Sequence, residues 1–378
     1  MQVENDNVLD FLFVNAGIPL SPSGGFDITY KLASLLKDLG FNVGILFIRD
    51  IFRNLYRIYP DRQLRYYLEN HLSYSVFSNI VNRKSGLIPL KLLRKLLGIN
   101  YEENLKGLRI FFSNGMQPTE SKRIIANGWH NALIINEWDV TARKFILAQQ
   151  DDADARWNPL LSHLALRAFS SGIPIISTNR IVTRKYYTDV IGQIPLAIDN
   201  NIFNCRIPIE KRDHWNVLIP LRQQTYKGAK LGLQILNLIH NNNPEISIHS
   251  FGNIPKSTIP SYLHHHGVVS KEVLSNLYNH ASVFILPSLI EGYGLTALEA
   301  MACGAALVTT DNEGIREFVQ NEKNGLVSRD FEPVEIKDLV IRLINDDKYR
   351  FKIASEGITT ASRYTWDSII DPFLGLIL

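Results

Sequence analysis

The chain has 378 residues, 46% of them hydrophobic and 20% charged, with a formal net charge of +3. That length exceeds what one hydrophobic core usually serves, so two domains are expected, and the composition excludes a disordered chain. Nearly balanced charge gives no global sign of a polyanionic partner, and two distant cysteines, Cys205 and Cys303, make no disulfide framework or metal cluster.

A reducing, cytoplasmic setting is the expectation from the cysteines. Residues Met1 to Asp10 are polar and acidic, unlike a signal peptide, and no apolar run reaches the ~18–20 residues of a membrane-crossing helix. In chain order, Val8 to Val14 reads as an apolar strand, followed by a loop from Asn15 that ends in Gly24-Gly25. A helix from Phe26 to Leu39 is closed by Gly40, and Phe41 to Ile48 is the next strand. Strand, glycine-rich loop, helix and strand open a doubly wound parallel sheet. The loop is not Gly-x-Gly-x-x-Gly and no Lys-Ser/Thr follows Gly25, which disfavours dinucleotide and P-loop readings.

Residues 49–95 hold ten Lys/Arg against Asp50, Asp61 and Glu69, a local excess of +7. Arg49, Arg53 and Arg57 recur every four residues and would line one helix face. Leu87 to Leu97 reads as a leucine-rich helix carrying Lys91, Arg94 and Lys95. Two readings stay open. One is an insertion packed on the sheet with solvated charges. The other is an amphipathic helix on an anionic membrane surface, which would hold the protein peripherally on the inner face.

Leu108–Ser113, Asn131–Asn136, Lys144–Gln150, Ile173–Ser177 and Ile194–Ala197 read as further strands. Ser113-Asn114-Gly115 and Asn136-Glu-Trp-Asp139 end two of them, and ligands of parallel sheets bind beyond such ends. Asp152-x-Asp154 is either a pair of divalent-cation ligands or the solvated start of a helix from Ala155 to Phe169. The second half restarts the pattern. Asn216–Leu221 is a strand, Arg222 to Gly228 a loop, then a helix to about Ile239 and a strand and turn over Ile246–Gly252. His264-His-His266 reads as loop, because adjacent side chains do not face one point. Asp330–Asp346 and Lys348–Arg363 are helices, and Tyr364-Thr-Trp366 introduces a last one.

The most informative stretch runs from Ala281 to Thr309. A buried strand, Ala281–Leu286, is ended by Pro287 and Ser288; a helix, Leu295–Cys303, is stopped by Gly304; another strand begins at Ala305. Between strand and helix lies Glu291-Gly-Tyr-Gly294. The first amides of a helix have no intrahelical partner and, with the macrodipole, form an anion site. Gly292 and Gly294 allow close approach to the backbone. Glu291 and Glu299 bracket the turn, and carboxylates accept hydrogen bonds from sugar hydroxyls. An anion cradle beside hydroxyl acceptors points to a sugar joined to a phosphate.

The pattern Glu-x7-Glu around Gly-Tyr-Gly-Leu, then Ala-Met-Ala-Cys-Gly, Thr310-Asp-Asn-Glu-Gly314, Glu317 and Asn324-Gly325, resembles family 4 of the retaining glycosyltransferases over about residues 215–330. Glu313 stands where that family often has the first of two glycines. The resemblance implies an α/β chain of GT-B fold, two Rossmann-like domains facing across a cleft. Residues 1–199 would be the acceptor side, 200–363 the donor domain, and 364–378 a helix crossing back. It implies that Arg222 and Lys227 grip the donor diphosphate, Glu291 contacts the donor sugar and Glu299 the ribose. Gly24, Gly25, Gly228, Val269, Gly292, Tyr293, Gly294, Leu295 and Thr296 would complete the nucleotide-sugar contacts. Family members often carry a sugar-touching histidine in the first half; none can be placed here, since His130 precedes the strand read at 131–136. Trp138 and Asp139 are the available substitutes, with core packing the favoured role of Trp138.

The implied function is metal-independent retaining transfer of a hexose or deoxyhexose from a nucleotide diphosphate sugar, as in polysaccharide biosynthesis. The acceptor would be a glycan or lipid-linked glycan, with no separate cofactor and no nucleic acid. Two alternatives remain: a sugar-nucleotide epimerase or hydrolase of the same fold, and a non-catalytic sugar-nucleotide-binding module.

Overall fold

The structure is a computed structural model that describes residues 8–16, 24–49, 51–65, 86–87, 107–113, 115–117, 119–156, 159–186 and 188–378. The chain divides into two compact units: Met1–Ile194 with Ile370–Leu378, and Pro195–Ile369.

In the first unit the elements are β1 (Leu9–Ala16), α1 (Gly24–Asp38), β2 (Val43–Ile48), α2 (Ile51–Ile58), β3 (Gly86–Leu87), β4 (Arg109–Ser113) and β5 (Ser121–Asn127). Then come α3 (Trp129–Asn136), β6 (Arg143–Ala148), α4 (Ser162–Phe169), β7 (Ile175–Ser177), α5 (Arg180–Lys185) and β8 (Val190–Gln193). Among the described residues the sheet order is β3-β4-β2-β1-β5-β6-β7-β8. Every pairing is parallel except β3 with β4. Central strands of such a sheet are covered on both faces, which is why β1 and β2 are nearly continuous runs of buried apolar residues.

Several elements differ from the sequence reading. Asn131–Asn136 is helix, not strand: it belongs to α3, which follows Gly128 at φ 79°. Trp129, Asn131, Ala132, Leu133, Ile134 and Ile135 are all buried, so burial runs round the helix and no 3.6-residue stripe announces it. The true strand before it, β5, opens with Ser121-Lys-Arg and has too short an apolar run to stand out. Ile194–Ala197 is irregular; the strand is β8 just upstream, whose residues alternate between half-buried and exposed. Helix α4 starts at Ser162 rather than Ala155, and Gly24 and Gly25 are the first residues of α1 rather than a turn before it.

The basic segment also changes character. Arg53 and Arg57 are exposed on α2, opposite buried Ile51, Asn54 and Leu55. Arg49 precedes the helix, with its guanidinium 5.7 Å from the centre of the Phe112 ring. Leu87 lies in β3. The remainder of the expected amphipathic helix, including Lys91, Arg94 and Lys95, lies outside the described residues. Among the described residues no helix is long and apolar enough to cross a membrane.

The second unit contains β9 (Asn216–Pro220), α6 (Ala229–Asn242), β10 (Ser247–Phe251), β11 (His264–His265), α7 (Lys271–His280), β12 (Val283–Leu286), α8 (Leu295–Ala302) and β13 (Ala306–Thr310). It continues with β14 (Leu326–Ser328), α9 (Pro333–Asn345) and α10 (Asp347–Ala361); α11 (Asp367–Ile377) spans the limit between the units. The sheet order among the described residues is β11-β10-β9-β12-β13-β14, all parallel. The strand order reverses between β9 and β12. In an open α/β sheet, ligands bind beyond the carboxyl ends of the strands at such a point. The last turns of α11 belong to the first unit, where Phe373 stacks on Phe13 with ring centres 6.5 Å apart.

His264 and His265 form the edge strand β11 rather than a loop. The chain pleats, so His264 and His266 flank His249 of β10, with ring centres 5.0 and 5.4 Å away, while His265 meets the Ser250 hydroxyl at 2.8 Å. His249 Nδ1 and His266 Nε2 are 3.1 Å apart. Burial first, then His264, His266 and His280, holds His249 below the ordinary histidine value; burial likewise lowers His265 and His266. A histidine with a depressed folded-state value binds its proton more readily when unfolded. Stability is therefore complete above the unfolded value of about 6.5 and is lost as pH falls below it. Asp152, pushed up to about 7 by burial, acts in the opposite sense, so the comparison must be between variants. Between about pH 6.5 and 5, urea-unfolding stability of the wild type should fall more steeply than that of His249→Gln. Identical slopes would contradict the coupling.

Candidate active site

Two loops meet where β9 and β12 end. The first, Arg222 to Gly228, closes in a single tight turn, with Gly228 N bonded to Thr225 O at 3.1 Å. Gly228 has φ 69°, and a Cβ there would sit 1.9 Å from the carbonyl oxygen of Pro287. Only glycine lets the two backbones approach so closely. Tyr226 O then accepts from Leu289 N at 2.8 Å and Ile290 N at 3.3 Å, which locks the Arg222 loop onto the Glu291 loop.

Contact between the loops brings their charges together. Lys227 Nζ lies 2.7 Å from Glu291 Oε2, with the two side chains 19% and 8% exposed. Ser288 Oγ donates to the other carboxylate oxygen at 2.7 Å. Glu291 is also held through its backbone, because its N–H donates to Asn312 O at 3.0 Å. Asn312, Glu313 and Gly314 form a γ-turn with Glu313 at φ 71° and ψ −54° and Gly314 N bonded to Asn312 O at 2.9 Å. A side chain is strained in that conformation, which explains why glycine suits the position that Glu313 occupies. Gly314 is required more strictly: a Cβ there would lie 2.5 Å from Glu291 O.

Helix α8 supplies the amides. Gly294, at φ 94°, is its N-cap, and no side chain caps it. Ala297 and Leu298 bond to Gly294 O, whereas the amides of Leu295 and Thr296 have no partner among the described residues. One turn on, the Glu299 carboxylate accepts from Tyr278 at 3.3 Å. Burial first, and then Glu299, raise the buried Tyr278 phenol well above its ordinary value, while Arg222 pulls it down. Val269 is half-buried just after β11, in a turn tied to β10 by the Gly252 N to Gly267 O bond of 2.8 Å.

Not every candidate side chain serves the site. The Tyr293 ring is buried against Phe318 and Tyr364, with ring centres 5.7 and 6.3 Å away, so only its backbone belongs to the turn. Gly24 and Gly25 open α1 in the first unit, and residues 17–23 lie outside the described residues. His130, half-buried, stacks on Trp129 at 3.7 Å and meets Phe52 edge-on at 5.2 Å, and desolvation pushes it down to about 3. Trp138 packs on the core and donates to Gly115 O at 2.6 Å, while Asp139 is exposed. Asp154 is paired with Arg156 at 2.5 Å and Asp152 accepts from Gln150 at 2.6 Å. Among the described residues no group of three or more His, Cys, Asp or Glu side chains is arranged to hold a metal ion. Ser288 and Asn312 escaped the sequence reading, since only the fold shows what they touch.

Residues 213–360 match the family described as Glycosyl transferases group 1. Most of the second unit is thus similar to group 1 glycosyltransferases. Arg222, Lys227, Glu291 and Glu299 all lie within it. An N,N'-diacetylbacillosaminyl-diphospho-undecaprenol alpha-1,3-N-acetylgalactosaminyltransferase of Campylobacter jejuni is 30% identical over 111 residues, 29% of this chain and 30% of the relative. The O-antigen chain mannosyltransferase B of Escherichia coli is 30% identical over 115 residues, 30% of each protein. The matched segment thus spans about 30% of the length of these curated relatives.

Likeness beyond residues 213–360 is structural. A sucrose-phosphate synthase from Thermosynechococcus elongatus superposes with a TM-score of 0.69 at 12% identity, covering 97% of both chains. HepE of Anabaena, in complex with UDP and glucose, gives 0.69 at 13% identity over 97% of this chain and 98% of that one. At such identities the likeness is one of fold, and the fold is GT-B.

Proposed function

We propose that the protein transfers a sugar from a nucleoside diphosphate sugar to a glycan or lipid-linked glycan, with retention at the anomeric carbon and without a metal ion. The observation that carries this reading is the Lys227–Glu291 ion pair in the same loops as the amides of Leu295 and Thr296, which have no partner among the described residues. A departing diphosphate needs cations and N–H donors, and a sugar needs hydroxyl acceptors; both kinds of group stand within one pair of loops. The names of the two relatives, one citing a diphospho-undecaprenol and one an O-antigen chain, support glycan assembly as the setting.

In the reaction, the bond from the sugar's anomeric carbon to the diphosphate breaks, and negative charge grows on the leaving oxygen. Lys227, the Arg222 fork and the α8 amides stabilise that charge without rearranging. Glu291 accepts a hydrogen bond from a donor-sugar hydroxyl and fixes the ring; Glu299 accepts from the ribose. The acceptor hydroxyl attacks from the face the diphosphate leaves, and a leaving-group oxygen takes its proton. The donor is a substrate, and no cofactor takes part.

A panel of nucleoside diphosphate sugars, incubated with and without acceptor extract, tests this reading. Acceptor-dependent release of nucleoside diphosphate is expected. Release without acceptor would favour an epimerase or hydrolase, and binding without turnover a non-catalytic module. EDTA should lower the rate by less than about twofold, because fixed cations replace the metal; loss restored by Mn²⁺ would overturn that part. Glu299→Ala should weaken nucleoside diphosphate binding by about tenfold, the value of one lost charge-assisted hydrogen bond, in a calorimetric titration. An unchanged affinity would remove Glu299 from the nucleotide site.

A further inference from the structure

We infer that Ser288 is a positioning residue that sets the plane of the Glu291 carboxylate. The inference rests on the reading of Glu291 as the sugar-contacting group. The terminal torsion of glutamate is broad, so a carboxylate held at one point still rotates. Lys227 is a point charge and supplies one such point, on Oε2. Ser288, 1% exposed, supplies the second on Oε1 at 2.7 Å. Two anchors on opposite oxygens fix the plane and direct the remaining lone pairs. The serine anchor also persists when Lys227 shares its ammonium with an arriving diphosphate.

Ser288 is itself braced from the next strand. The fully buried Thr310 hydroxyl donates to Ser288 O, and the Asn312 side chain donates to Thr309 Oγ1 at 3.2 Å. Asn312 O closes the circuit on Glu291 N at 3.0 Å. Thr309, Thr310 and Asn312 are 0% exposed, so water does not compete for these bonds.

A double-mutant cycle of Ser288→Ala and Glu291→Gln tests the inference. With a donor from the panel, Ser288→Ala should lower kcat by about tenfold and leave the donor KM within about twofold. In the Glu291→Gln background it should cost nothing further, because the group it orients is already altered. Ser288→Thr, which keeps the hydroxyl, should return kcat to within about threefold of wild type. Multiplying losses in the double variant, or an unaltered kcat in Ser288→Ala, would overturn the inference. Should Ser288→Ala fail to fold, Ser288→Cys keeps the size and weakens the donor. A wild type that turns over no donor would defeat the functional reading instead. The same cycle read by urea unfolding would then decide the point: coupled losses keep Ser288 as the anchor of Glu291, and additive losses dismiss it.

Discussion

Lys227→Ala is expected to lower donor turnover by about 10²–10³-fold, the usual cost of removing one fixed donor from a developing negative charge. The same change should also destabilise the protein. Glu291 is 8% exposed and would lose the cation 2.7 Å away, and breaking a buried pair on one side costs roughly 3–5 kcal/mol. The two effects separate in the variant Lys227→Ala with Glu291→Gln. Neutralising the carboxylate should recover much of the stability in urea melts, yet turnover should remain at the level of the single variant or below. Recovery of turnover together with stability would mean that Lys227 serves the fold rather than the leaving group.

A stability loss of comparable size should come from Gly228→Ala. The new methyl would stand 1.9 Å from Pro287 O, which is backbone and cannot swing aside, and alanine at φ 69° is itself strained. Overpacking costs about 1–3 kcal/mol and the conformation about 1 more, so a loss of roughly 3 kcal/mol is expected from thermal or urea unfolding. Relief by moving the loops apart would weaken the Tyr226 bonds to Leu289 and Ile290 and draw Lys227 away from Glu291. Residual folded protein should therefore bind nucleoside diphosphates poorly. A variant with wild-type stability would show that the two loops do not depend on this contact.

The second unit was far more legible in the sequence than the first, for local reasons. Pro287 ends a buried strand, Gly294 starts a helix and Gly304 stops it; each acts within a residue or two of itself. The expected strands at 216–221, 246–252 and 281–286 differ from β9, β10 and β12 by at most two residues at either end. The strand expected at 131–136 failed because a short helix buried on most sides carries no periodicity. Bringing Lys227 to Glu291 depends on β9 lying beside β12, although 64 residues separate the two side chains in sequence. Ser288 and Asn312 were illegible because serine after a strand and asparagine in a turn have many local uses. Their partners belong to neighbouring loops. Glu313 was legible as a departure from a family pattern but not as strain, since strain lies in φ and ψ.

The division of the chain has a consequence for biosynthesis. Residues 370–378 belong to the first unit, yet all of the second unit, residues 195–369, is translated before them. What they add is substantial. Phe373 is fully buried against Phe13 of the central strand, Leu376 covers Gly192, and Arg123 and Arg143 donate to the carbonyl of Ile377. Domains generally fold in the order in which they emerge from the ribosome. Here the unit begun first is completed second, with an apolar patch around Phe13 uncovered in the nascent chain until the later unit has been made. Ribosome-bound chains halted before residue 370 should accordingly display that patch to chaperones, and those halted beyond residue 378 by a downstream linker should not.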